Sequence, residues 1–260
     1  MVIKEYIKAR KEEIKKQVSK MKQKPTLVIV QLNEDEASKA YVKGKLKDAE
    51  ELGIKATLLK FPVTMKEKDL LKEIDKLNKD KKVDGFIVQM PLPKQINEET
   101  IKLAVAPEKD VDGFHPLSAL NPCTPQGIMN YLKSEKVEML GKNAVVIGRS
   151  NIVGKPMAKM LLAESCNVTV LHSKTPEKEM KNFLKNADIV VVAVGRKHLI
   201  DKRFKFKKSA VVVDVGINRD ETGLHGDVIP GLKVKLQTPV PGGVGLLTRL
   251  ALMENLLKIK

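Results

Sequence analysis

Tryptophan is missing from this 260-residue chain, and aromatic residues make up only 3% of it. Proteins that grip single-stranded nucleic acid by stacking bases need more ring surface than that. Cysteine is nearly absent too. Cys123 and Cys166 stand far apart in dissimilar surroundings, no CxxC pair occurs, and His115, His172, His198 and His225 are scattered. This excludes a disulfide framework and offers no metal-ligand spacing, so no metal site is expected. Two unpaired thiols in a reducing compartment are the simpler reading. Long apolar runs are also lacking. Ile189–Val194 is far shorter than the roughly 20 residues of a membrane span. The N-terminal MVIKEYIKARKEEIKKQ is charged throughout, without the apolar centre of a signal peptide. A cytoplasmic protein with no membrane contact is expected.

What is present is the balance of a globular protein, 42% hydrophobic and 31% charged residues. A chain of this length builds one large domain or two ordinary ones, with enough core to need no covalent staple. The net charge of +16 comes almost wholly from lysine, the arginines being Arg10, Arg149, Arg196, Arg203, Arg219 and Arg249. The lysines are dispersed over presumed helix faces. A solvated surface is therefore expected, with no nucleic-acid partner. A diffuse positive field also favours capture of anionic small molecules.

Hydrophobic patterning predicts two α/β lobes flanking a cleft. A Lys/Glu-rich amphipathic helix over residues 1 to about 22 precedes the apolar run Thr26–Leu32, which suits a strand buried on both faces. The polar turn NEDEAS leads to a helix, Ser38–Glu51, that stops at Gly53. A strand at Ile54–Phe61, a helix at Lys66–Asp80 and a strand at Gly85–Met90, cut off by Pro91 and Pro93, complete a parallel layer. After a loop around Asn121–Pro125 a second series begins. Strands are expected at Asn143–Gly148, Asn167–His172, Asp188–Gly195 and Ser209–Gly216, with helices at Gly154–Glu164 and Pro176–Asn186. This is the pattern of a Rossmann-like nucleotide-binding domain. The expected division is residues 1–120 plus a returning C-terminal helix, 244–260, against 121–243.

The segment Gly148–Pro156, GRSNIVGKP, is a glycine-rich turn from strand to helix. Such a turn lets backbone amides approach a pyrophosphate at the positive helix end. Its spacing is not GxGxxG, and a tight turn with no ligand is the competing reading. The surrounding βαβ order favours the ligand. The next strand ends at His172-Ser173-Lys174, where an NAD site usually carries Asp or Glu for the ribose hydroxyls. With no acid there, Ser173, Lys174 and the cationic Arg149 suit a 2′-phosphate, so NADP is preferred over NAD. For Lys174 alone, an ordinary surface role is a real alternative.

In SKAYVKGKLKDAEELG, Tyr41 and Lys45 lie four residues apart and Ser38 three before Tyr41, so the three share one helix face. Alone, such a Tyr–Lys pair in a lysine-rich helix is usually accidental. Gln89 ends the third strand before MPLP, and Asp112 sits in PEKDVDGFHP. Strand carboxyl ends are where α/β proteins bind ligands. An amide, a carboxylate, a phenol and an amine are thus expected to converge.

These segments, with PCTPQGI, GKNAVVIGRSNIVGKPMA, ADIVVVAVG, VVDVGIN, GDV and TPVPGGVGLLT, run through nearly the whole chain. The chain resembles the bifunctional methylenetetrahydrofolate dehydrogenase/methenyltetrahydrofolate cyclohydrolase family. That resemblance implies NADP-dependent oxidation of 5,10-methylenetetrahydrofolate to the methenyl compound, then hydrolysis to 10-formyltetrahydrofolate. It implies that Lys45 is the catalytic lysine, Tyr41 the pterin-stacking ring, and Gln89 and Asp112 their partners, with Ser38, Pro241 and Gly242 also on the folate. It implies cofactor contacts at Gly148, Arg149, Ser150, Ser173 and Ile217, a folate that carries a polyglutamate tail in some forms, and a homodimer formed through the cofactor lobe. Two departures stand out: the stretch between His115 and Pro122 is shorter than in many relatives, and Leu246 stands where a proline is usual. Both bear on substrate affinity rather than reaction class. A dehydrogenase acting on a small hydroxy acid, and a basic nucleic-acid-binding protein, are the rival readings.

Overall fold

The computed structural model describes residues 2–33 and 35–260; Glu34, within the expected polar turn, and Met1 lie outside them. The chain forms two compact units, one of residues 8–123 with 249–260 and one of residues 1–7 with 124–248.

Helix α1 (Ile3–Ser19), divided between the units after Ile7, leads into the first unit's central strand β1 (Thr26–Gln31), flanked by β2 (Lys55–Lys60) and β3 (Gly85–Val88). All pairings are parallel in the order β2-β1-β3, with Leu27 opposite Gly85 and Val30 opposite Val88. Helix α2 (Glu36–Leu52) starts where the Asp35 carboxylate accepts the Ser38 N–H, and stops at Gly53, whose φ of 75° suits a residue without Cβ. Helix α3 (Glu67–Lys79) buries Leu70, Ile74 and Leu77, one stripe at helical spacing. These pack with Val28, Val30, Phe86 and Val88 of the sheet. A short helix α4 (Glu98–Ala104), capped by Asn97, was not apparent in the sequence.

The second unit opens with α5 (Cys123–Ser134), where the sequence had suggested only a loop. Strands β4 (Asn143–Ile147), β5 (Asn167–Leu171) and β6 (Ile189–Val192) alternate with α6 (Gly154–Ala163) and α7 (Glu177–Asn186), and β7 (Val211–Asp214) follows β6 without a helix between. A polar hairpin, β8 (Asn218–Asp220) and β9 (Gly223–His225), and a two-residue strand β10 (Leu236–Gln237) follow. The parallel sheet has the order β10-β7-β6-β4-β5. Ala144, Val146, Val191 and Val213 pack on Met157 and Leu161 on one face. Val145, Val190, Val192 and Val212 pack on Met180 and Leu184 on the other. Both faces are covered, which is why these strands read as unbroken apolar runs. The last helix, α8 (Val244–Ile259), is divided between the units at Thr248–Arg249. No helix among the described residues is long and apolar enough to cross a membrane.

Candidate active site

Lys45 sits on the inner face of α2 and is only 4% exposed. An ammonium so placed needs a partner. Its Nζ donates to Gln89 Oε1 at 3.0 Å. Gln89 follows β3 directly, and its Nε2 donates 2.7 Å to the Met90 carbonyl. That second bond turns the amide so that its oxygen faces the lysine. The Tyr41 ring centroid lies 5.0 Å from the same Nζ, within cation–π range. Ser38 is buried in the first turn of α2.

The loop carrying Asp112 is tied down from several sides. The buried Asp110 carboxylate accepts the N–H groups of Gly113 at 3.0 Å and His115 at 2.7 Å. The Asp112 carbonyl accepts the Cys123 N–H, and Asn255 of α8 donates to the Val111 and Asn121 carbonyls, each at 3.1 Å. Asp112 and Lys45 feel one another. Burial raises the Asp112 carboxyl to about 6 against the pull of the Lys45 charge. Burial lowers the Lys45 amine, opposed by Asp112. Both shifts favour uncharged forms, so this lysine sheds its proton more readily than one in water. Burial also pushes the Cys123 thiol well above its ordinary range, which leaves it an inert neighbour.

Tyr41, Lys45, Gln89 and Asp112 are thus brought together by α2, the end of β3 and the loop before α5. Pro241 and Gly242 belong to the other unit, directly after the cis Val240–Pro241 bond and before α8. Asp110, Cys123, Asn255 and Arg249 went unremarked in the sequence as parts of this neighbourhood. The paired aspartates of PEKDVDGFHP were the only available hint of Asp110.

In the second unit the expected cofactor residues all fall at the carboxyl edge of one sheet. Gly148, Arg149 and Ser150 follow β4, Ser173 follows β5, and Ile217 follows β7. Strand β4 has β5 on one side and β6 on the other, so its end is the switch point where such sheets bind ligands. A side chain at Gly148 would strike the Ala193 carbonyl, and one at Gly154 the Gly148 carbonyl. The glycines therefore let β4, β6 and the start of α6 close up around the turn. The Ser150 hydroxyl accepts from the Val153 and Gly154 N–H groups at 3.2 and 3.3 Å, capping α6. Arg149, Ser150, Ser173 and Lys174 are exposed at this edge, and Ile217 is 58% exposed. A helix N-terminus, a cation and no acid after β5 fit a phosphorylated dinucleotide.

Buried carboxylates hold the neighbouring loops. Asp227, fully buried, accepts the N–H groups of Val194, Gly195 and Arg196 at 2.7–3.0 Å and the Asn218 amide at 3.0 Å. Asp214, raised to about 6 by burial, accepts from Gly216, Asp227 and Val228. Beside it lies a pocket of about 440 Å³ lined by His198, His225, Thr238 and Val240. Among the described residues, no cluster of His, Cys, Asp and Glu has the makings of a metal site.

A parallel sheet with a glycine turn at its switch point, and a second parallel sheet whose end holds a buried lysine through Gln89, define a dinucleotide-dependent α/β enzyme. Comparison with known proteins sharpens the class. Residues 1–112 match the catalytic domain, and residues 122–260 the NAD(P)-binding domain, of tetrahydrofolate dehydrogenase/cyclohydrolase. The bifunctional protein FolD of Lactococcus lactis subsp. cremoris is 46% identical over 259 residues, covering 94% of this chain and 90% of that one. The crystal structure of FolD from Campylobacter jejuni superposes with a TM-score of 0.94 at 39% identity, covering 100% and 98% of the two chains. A Trypanosoma brucei dehydrogenase-cyclohydrolase, complexed with NADP cofactor and inhibitor, gives 0.93 at 31% identity over 100% and 96%. The chain belongs to the tetrahydrofolate dehydrogenase/cyclohydrolase family.

Proposed function

We propose that this enzyme oxidises 5,10-methylenetetrahydrofolate to the 5,10-methenyl compound with NADP, and then hydrolyses that product to 10-formyltetrahydrofolate. The observation that carries the reading is the buried Lys45 amine, held on Gln89 and under the Tyr41 ring, in a chain of this family. Residues 1–120 with 244–260 are assigned to folate and 121–243 to the cofactor. NADP, when bound, supplies the hydride acceptor. The folate nitrogens stabilise the cation left behind, so for this step the protein need only align its ligands. Tyr41 stacks on the pterin. Asp112 holds the pterin amine and amide. Ser38, Pro241 and Gly242 complete the folate contacts. Gly148, Arg149, Ser150, Ser173 and Ile217 bind the cofactor, Arg149 and Ser173 at its 2′-phosphate.

Hydrolysis requires proton transfers. Water adds to the methenyl carbon and gives up one proton to a base; the ring then opens as the carbonyl forms and the departing nitrogen takes up the proton of the new hydroxyl. Lys45 takes that part as a base, because burial moves its amine toward the neutral form at working pH. Gln89 aims it. Cytoplasmic residence, a homodimer formed through the cofactor unit, and acceptance of polyglutamylated folate belong to the same proposal. The test follows NADPH and methenyltetrahydrofolate together in one spectrophotometric assay. Lys45→Met should keep dehydrogenase turnover and lose methenyl hydrolysis. Hydrolysis that survives in this variant removes Lys45 from the mechanism.

A further inference from the structure

On the helix that carries Lys45 lies an arrangement that the reaction scheme does not use. Gly44 stands in the interior of α2, where a glycine costs about 1 kcal/mol relative to alanine. A Cβ there would overlap the guanidinium of Arg249, which comes from α8, about 200 residues later in the chain. Arg249 lies over Gly44 because Asp48, one turn further along α2, holds it. Its Nε is 2.7 Å from Asp48 Oδ2, an ionic contact without the alignment of a hydrogen bond, and its Nη2 is 3.5 Å from Oδ1. The Asp48 side chain is 5% exposed and is shared with Lys11 of α1, 2.6 Å away, which also reaches Glu51. So desolvated a set of charges is expensive to assemble, and burying it for stability alone is a poor bargain.

We propose that Arg249 is a positioning residue for Lys45: anchored on Asp48 and admitted by Gly44, it holds a permanent positive charge against the turn of α2 that carries the amine. The inference rests on the reading of Lys45 as the proton-transfer residue. Gln89 from the end of β3 and Tyr41 from α2 itself contact that amine, and the ionisable groups that bear on it are Asp112 and Cys123 from the loop and the start of α5, and Arg249 from α8. Asp112 favours the ammonium and Arg249 disfavours it. Arginine keeps its charge at every pH at which the enzyme works, so its effect is constant. Asp48 tunes that effect by partly neutralising the guanidinium. Burial is the larger influence and Asp112 opposes it; with Arg249 in place the amine loses its proton more easily than it would without that charge.

Two substitutions have opposite signatures. Arg249→Gln keeps a planar amide over Gly44 but removes the charge. The Lys45 titration should move to higher pH, and methenyl hydrolysis near neutrality should fall about three- to tenfold and recover as pH rises. Asp48→Asn keeps the arginine but removes its counter-charge, and should move the titration to lower pH. Lys45 is followed directly by 13C NMR of lysine-labelled enzyme, assigned by its absence in Lys45→Met. Opposite shifts support the proposal. No shift in Arg249→Gln, or shifts in the same direction for both variants, overturns it. If Arg249→Gln does not fold, the direction of the Asp48→Asn shift decides. Because the NMR titration reads the amine without turnover, it stands apart from whether Lys45 is the base. Survival of methenyl hydrolysis in Lys45→Met tests that separately.

Discussion

The Gln89 side-chain oxygen accepts a 3.0 Å hydrogen bond from the Lys45 amine, joining the end of β3 to the middle of α2. Because the Gln89 amide nitrogen is committed to the Met90 carbonyl, the oxygen has no freedom to turn away. Replacing Gln89 with Leu leaves the buried amine without that acceptor. Such a loss costs about 1–3 kcal/mol. Urea unfolding should show a fall of that size, and methenyl hydrolysis should drop about tenfold or more while hydride transfer drops less. Equal losses in the two activities would mean that Gln89 merely supports the fold.

The raised Asp112 carboxyl makes stability depend on pH. Its folded-state value of about 6 lies above the unfolded value of about 3.8. The folded chain therefore holds the proton more tightly. This contribution is fully present below pH 4 and is lost as pH rises through 6. The gap between Asp112→Ala and the unaltered enzyme should shift in favour of the variant by on the order of 2 kcal/mol between pH 4 and pH 7. Thermal unfolding at several pH values measures it. A gap that does not vary with pH rules out a raised carboxyl.

Asp227 is predicted to control the cofactor unit from beneath. Its carboxylate is the acceptor for three successive N–H groups after β6, and it also holds Asn218, one residue past Ile217. Asp227→Ala leaves those donors buried and unpaired, at a cost of about 3–5 kcal/mol. Asp227→Asn keeps one acceptor oxygen and should lose less. In both variants calorimetric NADP affinity should weaken before folate affinity does. Unchanged NADP binding in a folded Asp227→Ala protein refutes the link.

Much of this could be read in advance, and the rest has physical reasons for being hidden. Strands buried on both faces show as apolar runs, so β1, β3, β4 and β6 were visible. Gly53 and Pro91 marked the ends of α2 and β3 because glycine permits the left-handed turn that stops a helix, while proline fixes its own φ and has no N–H for the sheet. Helix α5 was hidden by Pro125, which reads as a loop residue yet suits the first turn of a helix. The β8–β9 hairpin has only three residues on each side, too few for any period to register. Tyr41 and Lys45 could be paired from helical spacing, whereas Arg249 could not. Its partners lie some 200 positions away, and only a mid-helix glycine hinted that something passes close to α2.

Arg149 offers the sharpest test of cofactor choice. It stands exposed in the turn after β4, one residue past Gly148, and the end of β5 nearby carries Ser173 and Lys174 rather than an acid. A guanidinium recognises a 2′-phosphate by charge and by paired N–H donors, neither of which matters to a cofactor lacking that phosphate. Arg149→Ala should therefore weaken NADP binding about tenfold and leave NAD binding nearly unchanged. Since the contact is exposed, salt should screen it, and the preference of the unaltered enzyme for NADP should narrow between 0.05 and 0.5 M salt, as expected when the Debye length shrinks from roughly 14 to 4 Å. The variant should lack most of that salt dependence. Parallel losses for both dinucleotides would instead place Arg149 at the pyrophosphate, and the 2′-phosphate would then fall to Ser173 and Lys174.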